Sequence, residues 1–248
     1  MMDKVEGVVI RTNNYGETHK IVTMMTREKG KIGVMARGAK KPKSRMSSIT
    51  QPFIHGTFLI QTGSGLGSMS QGEMLSSLRS IREDIVKTAY ASYIAELTDK
   101  LIEEKQPDPF LYEQLLQTFQ WMNEGKDPNI LTLMYELKMY KKAGFAPVVD
   151  HCIQCGSQEG PFAFSMVEGG LLCFRCKQRD PQAYGLPDPL PKLLRVFLHM
   201  DVKRLGQITM KEENKKLLRQ IMDEYYDRYG GYFLKSKKFL KQLDLFSD

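Results

Sequence analysis

Four cysteines, Cys152, Cys155, Cys173 and Cys176, form a CxxC–x17–CxxC array in the segments CIQC and CFRC. Two residues between the thiols of a pair let both sulfurs of one tight turn converge on a cation. Two such turns complete a tetrahedron with Zn–S bonds of about 2.3 Å. The first expectation is one zinc ion per chain, with an iron–sulfur cluster as the rival and paired disulfides third. Four thiolates leave no open position for water or substrate, so the expected role is structural. His151 could replace a thiolate, but the sphere is already closed, and it is expected beside the site or in solvent. No Glu accompanies a cysteine in the H-x-E…P-C-x-x-C arrangement of the nucleobase deaminases. Arg175, Lys177 and Arg179 add positive charge to the same knuckle, which would suit contact with a polyanion.

A second cluster carries charge without reactivity. Arg37, Lys40, Lys41, Lys43 and Arg45 lie in the run RGAKKPKSR, which contains no acid. The chain's net charge is +7, and residues 1–80 hold 12 Lys and Arg against 5 Asp and Glu, a balance of 12 − 5 = +7. The other 168 residues balance at zero, with 24 of each sign. An excess confined to one segment argues for a polyanionic partner there, nucleic acid first. Arg11, Lys20 and Lys31 could continue the cationic track. Tyr15, Phe53 and Phe58 are the aromatics within reach for base stacking, each expected first as core. A solvated loop with no partner is the competing explanation.

Catalytic patterns are not found. The sequence has no GxxxxGK[ST], HExxH or GxSxG. GSGLG at 63–67 reads as a hairpin connection, because a phosphate loop would open a helix and this segment separates two strand patterns. The four histidines (His19, His55, His151, His199) are scattered, and paired carboxylates such as Glu103-Glu104 and Glu212-Glu213 sit on polar helix faces. The expectation is a binding protein, not an enzyme.

These groups must be positioned by elements. Residues 4–78 read as about five strands rich in β-branched residues, with EKGK (28–31) as a tight turn, which suits a small OB-type or SH3-like barrel. From residue 81 the period becomes helical. Ile81, Ile85, Tyr93, Leu97 and Leu101 share a face, followed by stripes from Leu111 to Met122 and from Ile130 to Tyr140. The three helices are expected to form one layer. Gly144 and Pro147 stop the third. Three further helices are expected after the proline-rich connector 181–191, split by Gly206 and by Gly230-Gly231. The fold class expected is α+β and multi-domain. A five-stranded β-barrel spans 1–80, a mainly α-helical domain spans 81–149 and 181–248, and a four-cysteine zinc knuckle is inserted at 150–180. No apolar run reaches the ~18 residues of a membrane span, and MMDKVEGVVI lacks a signal-peptide core, so a cytoplasmic protein is expected.

The order GVVIRTNNYGETHKIVTMMTREKGKIGVMARGAKKPKSR, helical middle, CxxC–CxxC insert and YFLKSKKFL resembles the RecO family of bacterial recombination mediators over essentially the whole chain. The cysteine array is shared by only some of its members. The resemblance implies an N-terminal OB-fold, a helical domain and a zinc knuckle, with no enzymatic turnover. It implies binding of single- and double-stranded DNA, annealing of complementary strands and partnership with the ring protein RecR. It also implies engagement of the acidic, apolar tail of single-strand-binding protein (SSB), help in loading RecA, and work at the nucleoid. A second cationic and apolar groove in the helical domain would meet that tail. Lys138, Lys141 and Lys142, beside Met139 and Tyr140, are the candidates, against an ordinary solvated helix face. Lys235, Lys237 and Lys238 could extend either surface. The competing functions are a protein-interaction adaptor that does not touch DNA and a zinc-dependent nucleic-acid enzyme.

Overall fold

The β-branched runs form five strands in the computed structural model, which describes residues 2–63, 65–206 and 208–244. They are β1 (Met2–Tyr15), β2 (His19–Thr26), β3 (Gly30–Ala36), β4 (His55–Gln61) and β5 (Gly67–Ser76). In the order β1-β2-β3-β5-β4 they close into a barrel. β1 pairs antiparallel with both β2 and β4, and β3 closes the ring by pairing parallel with β5. β1 uses both of its edges, and its register with β2 shifts between Val9 and Arg11. Closure leaves no long open edge for another chain to pair with. Val5, Val9, Val22, Met24, Ile32, Val34, Phe58 and Ile60 fill the interior. Part of GSGLG joins β4 to β5 as expected, with Ser64 outside the described residues.

The β3–β4 connection holds the basic run and one helical turn, α1 (Arg45–Ile49), capped by Ser44. Ile49 reaches the barrel core, and the Thr50 carbonyl accepts from Thr12 Oγ1 at 2.7 Å. The β2–β3 turn is fixed by Gly30 at φ 66°. The 104–106 segment covers it, and Lys105 N–H donates to the Lys31 carbonyl at 2.8 Å.

By its contacts the chain forms two units. One runs to Pro128 and resumes at Leu234; the other is Asn129–Phe233. The first unit adds to the barrel α2 (Arg79–Glu83), α3 (Ile85–Leu101), α4 (Pro109–Asn123) and α8 (Lys235–Asp244). Asp84 caps α3, and Asp108 with Pro109 opens α4. Ile81, Tyr93 and Leu97 are buried as their spacing predicts, but Ile85 is exposed in the first turn of α3. Polar links tie barrel to helices. The Glu6 carboxylate accepts from Tyr112 Oη at 3.1 Å and lies 2.9 Å from His55 Nε2, while Arg27 pairs with Glu6 and Glu113. Burial raises the Glu6 carboxyl, but the bonds from His55, Arg27 and Tyr112 outweigh it, and the net shift is downward.

In the second unit, α5 (Pro128–Lys142) is buried at every position from Ile130 to Tyr140. The helix expected as the third member of a layer with α3 and α4 therefore opens a different unit. Its buried Glu136 meets Arg219 at 2.5 Å, and Arg219 also meets Asp223 at 3.2 Å. Three short strands follow, β6 (Phe162–Ser165), β7 (Gly170–Cys173) and β8 (Tyr184–Gly185), in the order β7-β6-β8. α6 (Pro189–His199) and α7 (Glu212–Tyr229) complete the unit. This small sheet is not expected from the sequence, because strands of 4, 4 and 2 residues are too short to show a period. Among the described residues no helix is long and apolar enough to cross a membrane.

Candidate nucleic-acid interface and metal centre

The basic loop is held in place. Its Gly38 N–H donates to His19 Nδ1 at 3.0 Å, and Lys40 N–H donates to the Thr18 carbonyl at 2.9 Å. Lys40 Nζ reaches the Gly16 carbonyl at 3.3 Å. Ala39 is fully buried in the barrel core and acts as the loop's anchor. Gly38 and Lys43 take left-handed backbone, with φ 69° and 62°, so the chain turns twice within six residues. The loop therefore docks on the β1–β2 turn and leaves its charges outward. Arg37, Lys40, Lys41, Lys43 and Arg45 are all exposed. The sequence reading missed His19 as the residue that holds this loop. The signal available was a histidine three residues beyond the turn glycine in YGETH.

The residues expected to extend the track divide. Lys20 is half-buried. Arg11 is half-exposed, but its Nε pairs with Asp99 at 2.9 Å. Lys31 is buried, its ammonium donating to the Asp99 carbonyl and lying 3.5 Å from the Asp99 carboxylate. Lys31 thus serves the barrel–helix junction and is withdrawn from any outer surface. Of the three aromatics, Phe53 and Phe58 are core, whereas Tyr15 is 49% exposed beside the Gly16 carbonyl that holds Lys40.

The residues expected to form a second cationic groove divide. Lys138 is buried, its ammonium donating to the Met200 carbonyl, and burial pushes its pKa down to about 8. Met139 and Tyr140 are fully buried core residues. Lys141 and Lys142 are exposed at the end of α5. Lys235 and Lys238 are exposed, while Lys237 is buried.

The four cysteines converge. All their sulfurs lie within 4.8 Å of one another, and the Cys155 and Cys173 sulfurs are 3.7 Å apart. A tetrahedron with arms of about 2.3 Å has edges of about 3.8 Å, so the donor set fits a thiolate-bound cation such as zinc. None of the four is in a disulfide. Each pair sits on its own turn, with Gly156 N–H bonded to the Cys152 carbonyl and Cys176 N–H to the Cys173 carbonyl. Ile153 N–H donates to the Leu171 carbonyl at 2.8 Å and joins the first turn to β7. Burial raises the Cys152 thiol, but the backbone N–H groups of Cys173, Cys155 and Gln154 outweigh it and hold it at about 6. Desolvation and the three neighbouring thiols push Cys176 up to about 12. The cluster can hold a metal ion, and His151 is exposed outside it.

Comparison with known proteins gives one answer. Residues 1–78 match the family description "Recombination protein O N terminal", and residues 82–238 match "Recombination protein O C terminal". The chain is 54% identical over 246 residues to DNA repair protein RecO of Oceanobacillus iheyensis, covering 99% of this chain and 95% of that protein. It is 51% identical over 244 residues to DNA repair protein RecO of Bacillus subtilis, with 98% and 96% covered. The Bacillus cytotoxicus protein of the same name is 54% identical, with 99% of both chains covered. The closed five-stranded barrel, the helices and the cysteine cluster therefore belong to a member of the RecO family, with a role in DNA repair and recombination.

Proposed function

We propose that this chain is a non-enzymatic recombination mediator that binds single- and double-stranded DNA and anneals complementary strands. The observation that carries the reading is the docked loop with five outward cations and no acid. Arg37, Lys40, Lys41, Lys43 and Arg45 contact phosphates, with Lys20 and the half-exposed Arg11 at the margin and Tyr15 as the accessible aromatic. Bringing two polyanions together costs Coulomb repulsion, which a cationic face lowers without any reacting side chain. Cys152, Cys155, Cys173 and Cys176 hold zinc, which when bound cross-links the two turns of a knuckle that has little core of its own. Membership in the family supports the further partners: RecR, the acidic tail of SSB and, indirectly, RecA, at the nucleoid of a bacterial cytoplasm.

The test is a salt titration of fluorescent oligonucleotide binding by the full chain. Each phosphate neutralised on single strands contributes about −0.7 to the slope of log K against log salt, so five contacts give about −3.5. Reversing Lys40, Lys41 and Lys43 to Glu is expected to flatten that slope by about 2 and to reduce annealing of SSB-coated strands in parallel. No binding by the wild-type chain at low salt overturns the reading; annealing unaffected by the reversal removes the loop from it.

A further inference from the structure

The turn between the second pair of cysteines presents Phe174 at 72% exposure. Leaving a phenylalanine in water forgoes about 1.5–3 kcal/mol of burial, and nothing about metal binding requires an aromatic ring there. Beside it opens a cleft of about 380 Å³, lined by Phe162, Leu172, Leu186, Phe174 and Lys177 among others, with no acid in its lining. That volume falls within the range of clefts that bury small ligands, about 300–1,000 Å³. The cleft floor is fixed. Phe162 pairs with Cys173 across the β6–β7 ladder. The Arg195 guanidinium lies 5.5 Å from the Phe162 ring centroid, and Arg195 Nε donates to the Val149 carbonyl at 2.8 Å. Lys177 belongs to that lining, and Arg175 and Arg179, each two residues from it in sequence, are exposed with it.

We infer that this cleft takes an unstacked base of single-stranded DNA, laid against Phe174, with the flanking phosphates on Lys177, Arg175 and Arg179. A ring in solvent among cations is how sequence-tolerant single-strand binders hold bases, since every base has a π-face. In a duplex the bases are stacked on each other and cannot enter, so the contact discriminates single from double strands. The inference rests on the DNA-binding reading above and adds to it a contact site in the second unit.

The experiment uses the full chain and an oligothymidylate carrying one 2-aminopurine. Wild-type binding is expected to quench the probe. Phe174→Ala is expected to weaken single-strand binding about 5- to 150-fold, to abolish the quench and to leave duplex affinity unchanged. Phe174→Leu, which keeps apolar bulk without a stacking face, loses the quench too, and Phe174→Trp retains it. In the unaltered chain, photocrosslinking of a 5-iodouracil oligonucleotide is expected to label Phe174. Undiminished quench and affinity in the Ala and Leu variants, or crosslinks confined to the barrel, overturn the inference and leave the mediator reading standing. Absence of oligonucleotide binding by the wild-type chain overturns both.

Discussion

Lys138, Lys141 and Lys142 look alike in the sequence, one cluster on one helix, yet only Lys138 is buried. Its pKa is lowered from 10.5 to about 8, chiefly by burial. For a lysine lowered on folding, the cost of the buried charge is full below pH 8. The cost is relieved as pH rises toward 10.5, where the unfolded chain holds a proton that the folded chain has already lost. Wild-type stability is therefore expected to gain on the order of 3 kcal/mol from this group across that window. Urea unfolding from pH 7 to 10.5 should show that gain in the wild type and not in Lys138→Met. Burial of a charged residue was not legible, because a lysine's fate depends on what packs over it, here the Met200 carbonyl that α6 leaves at its end. Lys31 escaped reading for the same reason, since Asp99 is 68 residues away. The cysteine cluster was legible because its two short spacings are local chemistry.

At the scale of elements, the long β-branched strands and the striped helices announced themselves, and the turn at 28–31 was readable from its glycine. What holds that turn was not. A Cβ on Gly30 would come within 2.0 Å of the Gln106 carbonyl oxygen, and the residue sits at φ 66°. Gly30→Ala is expected to lose about 2–4 kcal/mol, from left-handed strain and forced displacement of the 104–106 segment. Chemical denaturation with an unchanged m-value checks it; a loss under about 1 kcal/mol would show that the segment moves freely. Helix α5 misled the reading in another way. Its apolar stripe was visible, but its opposite face is buried too, where Glu136 meets Arg219 of α7, itself paired with Asp223. One-dimensional periodicity shows a stripe and not what covers the opposite face. The short strands β6 to β8 and the single turn of α1 fall below any periodic window.

For the molecule as a whole, the charge excess and the cysteine cluster are segregated. The +7 excess lies within residues 1–80, whereas all four cysteines of the cluster that can hold a metal lie within Asn129–Phe233. Cys173→Ser is expected to lower bound zinc from one per chain to none. It should also strip amide protection from β6, β7 and the Val148–Ile153 segment, while amides of β2 and β3 keep theirs. Hydrogen exchange with metal analysis reads both; equal loss in the barrel would show that the metal supports both units.

The first unit is assembled from two separate stretches of chain. Helix α8 packs on α3, and Glu96 accepts from the backbone N–H groups of Lys235 and Ser236 at 3.1 and 2.8 Å. Leu234 and Leu240 are buried. Between Pro128 and Leu234 a ribosome must add the 105 residues Asn129–Phe233, which takes about 5–20 s at about 5–20 residues per second. For that interval the barrel exists with one flank of α3 uncovered. The newborn unit is therefore at its most exposed to aggregation or to a chaperone while the cysteine-bearing unit is still being made.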